Sequence, residues 1–118
     1  MSEQYTSGTF RIELLKGTNW MPWKRRMLAI FWELNLEKYI AKDVKEPEPA
    51  DKEKVTETEK EAQRVWRKGD AKTQMRIELV LGDSEMIHIS SATTAAEMWN
   101  QLITIKEACG KLRIIAMR

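Results

Sequence analysis

Few residues in this 118-residue chain have the types and spacing that catalysis requires. The single histidine, His88, is followed closely by Ser90 and Ser91, which invites comparison with a nucleophilic serine site. Residues this close on one strand or helix rarely reach the angled geometry of a catalytic triad, and the sequence has no Gly-x-Ser-x-Gly turn. We therefore interpret His88 as a partly buried structural residue.

Metal and phosphate sites are not indicated by the sequence either. With one histidine and one cysteine, Cys109, the chain cannot build a multi-thiolate zinc site or an intramolecular disulfide. The carboxylates at 46–61 lack the alternating ligand spacing and the central glycine of a calcium loop. No glycine-rich phosphate motif is present. We expect no enzyme activity, no cofactor, no metal and no small-molecule substrate.

The charge balance and the apolar pattern define the broad class of protein. Twenty Lys and Arg residues against eighteen Asp and Glu residues give a net charge of +2, which argues against binding nucleic acid by bulk charge. No apolar run approaches the roughly eighteen residues of a membrane-spanning helix. Residues 1–5 do not begin a signal peptide. The expectation is a cytoplasmic, globular domain with no membrane partner.

The number and positions of the glycine and proline residues predict an all-α fold and its domain organisation. Only five Gly and three Pro residues interrupt the sequence, and this scarcity favours helices. Residues 1–9 are expected to be a flexible N-terminus, followed by a short extended segment in which apolar and charged residues alternate. Residues 10–118 are predicted to form one helical domain that ends within a terminal helix. An acidic linker is predicted at 42–56, where Pro47 and Pro49 stop any helix.

Hydrophobic periodicity locates the helices and their core residues. After the first helix and the linker, residues 57–81 are predicted to form the longest helix, with Gly82 as its C-cap. A short helix is predicted through Met86, Ile87 and Ile89, with Asp83 or Ser84 as its cap. Thr94 and Glu97 have the spacing of a capping box at the next helix start. The predicted core residues, which recur at helical spacing, are Trp20, Trp23, Met27, Ile30, Phe31, Leu34, Trp66, Trp99 and Leu102.

Motifs anchored by tryptophan follow one another along the chain. The first is LKGTNWMPWKRRM at 15–27, the second is Trp66 with Asp70-Ala71, and the last is TAAEMWNQL at 94–102. In this order they resemble the Gag polyprotein of Copia-type LTR retrotransposons. That family has a Leu-x-Gly-x-Asn-aromatic turn followed by a tryptophan, and later a Thr-Ala-x-Glu-x-Trp-x-x-Leu motif. The resemblance spans nearly the whole chain.

The resemblance implies a fold, a role and a set of partners. Gag is the structural protein that self-assembles into a shell around the element's RNA, and this portion is similar to the all-helical N-terminal domain of the capsid. The implied fold is a small orthogonal bundle of about five helices. The implied partners are further copies of the chain, as a homodimer or a larger, helix-swapped assembly, and element RNA in the context of a longer Gag. The zinc knuckle that binds RNA in the family is not in this sequence.

Two groups of residues are the candidate contacts with these partners. Trp32 falls off the apolar stripe of the first helix, so it lies either at the edge of the core or on the surface. If it is exposed, it is a candidate self-association contact, because exposed tryptophans often anchor interfaces. Self-association would also use apolar residues of the terminal helix, namely Leu112, Ile114, Ile115 and Met117. Nucleic-acid contact would use Lys24, Arg25 and Arg26, together with the neighbouring Arg67, Lys68 and Lys72.

Two other functions compete with a shell-forming module at this point. One is a domesticated Gag-like adaptor that binds a partner peptide in a groove. The other is an RNA-binding helical domain, whose binding would weaken steeply with salt.

Overall fold

A computed structural model of the chain describes the backbone of residues 4–7 and 10–116 and the side chains of residues 12–108. Within these residues, α-helices and shorter 3-10 helices form most of the structure, so the fold is mainly helical. The elements in chain order are β1 (Gln4–Ser7), β2 (Phe10–Glu13), α1 (Trp20–Glu33), a first 3-10 helix (Glu37–Ile40), α2 (Glu57–Leu79), a second 3-10 helix (Asp83–Ile89) and α3 (Ala95–Ala116).

The extended start of the chain is a hairpin. Strands β1 and β2 pair antiparallel, with Tyr5 opposite Ile12 and Ser7 opposite Phe10. The sequence predicted the second strand as an extended segment. Residues 4–7, which the sequence assigned to the N-terminal segment before the domain, form the strand that pairs with it. Strand β1 reads Gln-Tyr-Thr-Ser and has too little apolar alternation to be recognised before its partner is known.

A backbone bridge joins the chain after β2 to the chain after α2. The Leu15 N–H donates to the Val80 carbonyl at 2.8 Å, and the Gly82 N–H donates to the Leu15 carbonyl at 2.9 Å. Gly82 was predicted as a helix C-cap, but its φ of −67° is not left-handed. A Cβ on Gly82 would lie 2.7 Å from the Leu15 carbonyl oxygen. The glycine is therefore needed for the close approach of two backbones.

Helix α1 ends in a left-handed residue that directs the chain back into the core. Asn35 has a φ of 59°, and the Leu36 N–H donates to the Phe31 carbonyl at 2.8 Å. This is the bond of a Schellman motif, with asparagine in the position that glycine usually takes. Both Phe31 and Leu36 belong to the buried core cluster, and these are the two positions whose side chains commonly accompany this motif with a hydrophobic contact.

Every residue that the periodicity assigned to the core lies in the core or against it. The buried members are Trp23, Met27, Phe31, Trp99 and Leu102. The partly buried members, which pack against that cluster, are Trp20, Ile30, Leu34 and Trp66.

Three tryptophans form the centre of this core. The Trp23 ring stacks on Trp20 at 5.7 Å between centroids and on Trp99 of α3 at 5.8 Å. Phe31 meets Trp99 edge-on at 5.5 Å. Offset stacks and edge-on pairs are the favourable arrangements of aromatic rings, so α1 and α3 are joined by a well-oriented cluster.

Helix α2 meets the first 3-10 helix at a glycine. The Tyr39 ring lies directly over Gly69, where an added Cβ would be 2.1 Å from the Tyr39 hydroxyl oxygen. Tyr39 also packs edge-on against Trp66, with 6.1 Å between the ring centroids. A mid-helix glycine costs about 0.5–1 kcal/mol relative to alanine, and here it makes room for a buried tyrosine.

We predict that Gly69→Ala lowers the free energy of unfolding by about 1–3 kcal/mol, because its methyl group overlaps a ring that cannot move out of the core. Tyr39 is only 4% exposed. Urea denaturation measures the change. In a Tyr39→Leu background the same substitution should cost clearly less. If Gly69→Ala raised the free energy of unfolding of the otherwise wild-type chain, this would contradict the packing of Tyr39 over Gly69.

Candidate self-association and nucleic-acid surfaces

Trp32 lies on the outward face of α1, away from the core. Trp32 is 67% exposed and Met21, on the same helix, is 64% exposed. With Arg25 and Leu28 between them, these residues follow a 4-3-4 spacing and therefore share one stripe of the helix. Arg25 is exposed and Leu28 is half-buried. The stripe thus has a large apolar side chain at each end and a cation near its middle.

The terminal residues predicted for self-association are only partly described. Leu112, Ile114 and Ile115 belong to the backbone of α3, and their side chains lie outside the described residues. Met117 lies outside the described residues altogether. Trp32 is therefore the member of this group whose surroundings the structure defines.

The basic run of α1 divides into a structural lysine and two exposed arginines. Lys24 Nζ lies 2.8 Å from Glu107 Oε2 and 5.7 Å from the centroid of the Trp20 ring. The same carboxylate oxygen accepts the Trp20 indole N–H at 3.3 Å. Lys24, predicted as a nucleic-acid contact, thus connects α1 to α3. Arg25 and Arg26 are exposed.

His88 lies beside an ion pair that joins the second 3-10 helix to α3. The buried Glu85 carboxylate contacts Lys106 of α3, and His88 Nε2 lies 3.0 Å from Glu85 Oε2. The Ser90 hydroxyl donates to the Ile87 carbonyl at 3.0 Å, and the Ser91 hydroxyl accepts from a glutamine of α3. Both serine hydroxyls therefore have partners other than the imidazole, and the ion pair joins the 3-10 helix to α3.

A buried carboxylate of α2 caps α3. Asp70, 5% exposed, accepts the Ala95 N–H at 3.0 Å through Oδ1 and the Gln74 side-chain amide at 2.7 Å through Oδ2. Ala95 is the first residue of α3, where backbone donors lack helical partners and the helix dipole favours an anion. The sequence did not predict that Asp70 caps α3, although its position on the inward face of α2 indicates a buried carboxylate that needs a partner.

The predicted capping box at the start of α3 is formed in part. The Glu97 N–H donates to Thr94 Oγ1 at 3.2 Å, but the Glu97 carboxylate accepts from the Thr93 N–H at 2.8 Å rather than from Thr94. The hydrogen bonds from the Thr93 N–H and hydroxyl hold the pKa of the Glu97 carboxyl below its usual range. This carboxylate therefore stabilises the fold above its unfolded-state pKa, and the contribution is lost as the pH falls through the lower folded-state pKa.

The linker between the first 3-10 helix and α2 is bonded to α2. Glu59 accepts the Ala50 N–H at 2.8 Å, and the Gln63 side chain donates to the Pro47 carbonyl at 3.1 Å. Thr56 and Glu59 form a complete capping box that starts α2. The Thr-x-x-Glu spacing at 56–59 could have indicated that box. The linker is thus non-helical, as its prolines predicted, and it lies against the helix.

A groove of about 570 Å³ lies between the linker, α2 and the start of α3. Its walls include Trp66 and Asp70, together with Arg67, which forms an ion pair with Glu46 of the linker. The groove mixes both signs of charge. It brings the tryptophan and aspartate of the second sequence motif next to Thr94 of the last one.

The chain matches no protein-family model, no curated protein and no solved structure. In the part of the chain that the structure describes, no helix is long and apolar enough to cross a membrane. Across the same residues, no group of three or more His, Cys, Asp or Glu side chains is placed to hold a metal ion.

We predict that Asp70→Ala lowers the free energy of unfolding by about 1–3 kcal/mol, because the buried Ala95 N–H loses its acceptor. Asp70→Asn is the matched control. It keeps an acceptor oxygen and should cost less. Urea denaturation of both variants gives the two values. If Asp70→Ala lowered the free energy of unfolding by less than about 0.5 kcal/mol, as substitutions at surface positions usually do, the Asp70 carboxylate would not be a stabilising cap of α3.

Proposed function

We propose that this chain is a capsid-type structural module, similar to Gag of Copia-type LTR retrotransposons or a domesticated relative, that self-associates by helix packing into a shell. The observation that carries the proposal is the exposure of Trp32. The core of the described residues contains stacked tryptophans on α1 and α3, and Trp32 lies outside it with two thirds of its surface exposed. Exposed aromatic side chains are the residues that most often anchor protein contacts.

The spacing of the α1 stripe suits an antiparallel pair of α1 helices. The 4-3-4 pattern of Met21, Arg25, Leu28 and Trp32 is the seam spacing of packed helices. The pattern reads the same in both directions, so a two-fold axis at its centre places Met21 of one copy opposite Trp32 of the other. Arg25 then lies one helical turn from the other Trp32 ring, within cation–π range. A self-complementary patch of this kind is what a two-fold interface requires.

A closed pair alone does not make a shell, and a second apolar surface is available. Met75 and Leu79 at the end of α2 are exposed, as are Met86 and Ile87 of the second 3-10 helix. One two-fold contact closes on itself, whereas two different contact surfaces on each chain link pairs into larger assemblies. In this proposal the α1 stripe forms the pair, and the second surface extends it.

The groove between the linker, α2 and α3 favours the alternative, a Gag-like adaptor. Trp66 lines this groove, and its indole nitrogen is buried without a hydrogen-bond partner among the described residues, so a carbonyl of a bound peptide would supply the missing acceptor. Electron microscopy of the purified chain separates the two functions. Particles support the shell-forming module, and a monomer that binds a peptide in this groove supports the adaptor.

We predict that Trp32→Ala weakens self-association at least tenfold and leaves the fold intact. Truncating an interfacial tryptophan to alanine commonly costs about 2 kcal/mol or more of binding free energy. Sedimentation equilibrium measures the dissociation constant, and circular dichroism measures the fold. Val65→Ala is the matched control, since Val65 is apolar and exposed but lies on α2. A wild-type chain that stays monomeric at high micromolar concentration, or a Trp32→Ala variant that unfolds, would contradict the proposal.

A further inference from the structure

The side of α2 that is turned away from the core carries a stripe of exposed residues at steps of three and four. The stripe, which we call the α2 seam, consists of Val65, Lys68, Lys72, Met75 and Leu79. Alternating steps of three and four are the spacing at which one helix packs along another. With a rise of about 1.5 Å per residue, the seam is about 21 Å long, so a paired helix would follow it for about four turns.

Large apolar side chains lie toward both ends of the α2 seam. Val65 is 51% exposed, Met75 is 56% exposed and Leu79 is 50% exposed. Single apolar side chains are common on protein surfaces, but the outward face of a helix in water is usually polar. Three large apolar side chains at seam spacing therefore indicate a surface that packs against a partner.

The middle of the α2 seam is cationic and lacks a counter-charge. Among the described residues, the ion pairs of the chain involve neither Lys68 nor Lys72. Between positions 62 and 77 the sequence contains one acidic residue, Asp70, and its carboxylate is buried against α3. Lysines one helical turn apart repel each other, so a partner that places carboxylates beside them would remove this repulsion.

A second copy of α2 does not complement this pattern. An antiparallel pair of α2 helices that matches Val65 with Met75 also brings Lys68 beside Lys72 of the other copy. A parallel pair in register brings each lysine beside its own equivalent. Both arrangements collect four cations at the centre of the contact without a carboxylate, and like charges at facing seam positions act against pairing.

A phosphate backbone does not complement the pattern either. It would neutralise Lys68 and Lys72, but phosphates offer no apolar surface to Val65, Met75 and Leu79. An amphipathic helix supplies both kinds of contact, because apolar and acidic side chains can alternate along one of its faces. The spacing of the seam, its apolar ends and its cationic centre therefore favour one class of partner.

We propose that the α2 seam binds an acidic amphipathic helix of another protein. Apolar residues of that helix pack against Val65, Met75 and Leu79, and carboxylates between them pair with Lys68 and Lys72. Because the bound helix covers Met75 and Leu79, it would also compete with the contact that extends the pairs in the proposed function. The binding itself does not depend on the proposed function, since the self-association stripe lies on α1.

Fluorescence anisotropy of labelled synthetic peptides, titrated with the full chain, tests the proposal. Two peptides of about 20 residues are long enough to form helices. Both carry leucine at the outer seam positions, and they differ only at the two central seam positions, which are glutamate in one and lysine in the other. The wild-type chain should bind the glutamate peptide at least about tenfold more tightly, because the lysine peptide adds like charges to Lys68 and Lys72.

A charge-reversed variant locates the contact. Lys68→Glu/Lys72→Glu should bind the glutamate peptide at least about tenfold more weakly than the wild type does, and it should bind the lysine peptide at least about tenfold more tightly. Lys52→Glu/Lys54→Glu is the matched control, since it changes the net charge equally on exposed residues of the linker. It should keep the wild-type preference within about threefold, because separated surface charges are screened by salt.

Two further variants test the apolar part of the contact and its independence from self-association. Val65→Ala/Met75→Ala should weaken binding of the glutamate peptide about tenfold, because apolar area is lost from both ends of the seam. Trp32→Ala should leave peptide binding unchanged. Loss of self-association in Trp32→Ala with peptide binding retained, or the reverse, distinguishes a failure of one proposal from a failure of the other.

The proposal is overturned if the wild-type chain does not bind the glutamate peptide or binds both peptides equally. It is also overturned if Val65→Ala/Met75→Ala binds as tightly as the wild type, or if a glutamate peptide without leucines binds as tightly as the amphipathic one, since charge alone would then suffice. Circular dichroism verifies that each variant is folded. If the charge-reversed variant unfolds, Lys68→Ala/Lys72→Ala replaces it. A preference for the glutamate peptide reduced at least about fivefold is then expected, and an unchanged preference contradicts the proposal.

Discussion

The indole of Trp23 is the contact on which the arrangement of the three helices depends. Its ring stacks on Trp99 of α3, and its N–H donates at 3.0 Å to the Val80 carbonyl just beyond α2. That carbonyl also accepts the Leu15 N–H, so one buried acceptor joins the chain after β2, the end of α2 and the first turn of α1. Carbonyls at helix C-termini lack helical partners, and a buried one must be satisfied from elsewhere in the fold. With its inward face fixed by this contact, α1 necessarily presents Trp32 to the outside.

Local patterns in the sequence predicted the elements, and contacts between distant residues could not be read from those patterns. The spacing of Trp23, Met27 and Phe31 was sufficient to orient α1, because burial repeats with the helical period. The Asp70 bond to Ala95 and the Lys24 pair with Glu107 join residues far apart in the chain, so no periodicity reports them. Gly82 was assigned to the commonest use of a glycine after a helix, whereas its actual constraint is the Leu15 backbone. The candidate surfaces divide in the same way. The period placed Trp32 off the apolar stripe, but its exposure and the separation of Lys24 from Arg25 and Arg26 required the fold.

The most direct test of this account is the stability of Trp23→Phe measured by urea denaturation beside Trp32→Phe. The first substitution keeps an aromatic ring and removes the N–H that reaches Val80, and the second makes the same chemical change on the exposed face. The account predicts that Trp23→Phe lowers the free energy of unfolding by about 1–3 kcal/mol. It predicts a change within about 0.5 kcal/mol for Trp32→Phe. A Trp23→Phe variant as stable as the wild type would contradict the central role of this indole.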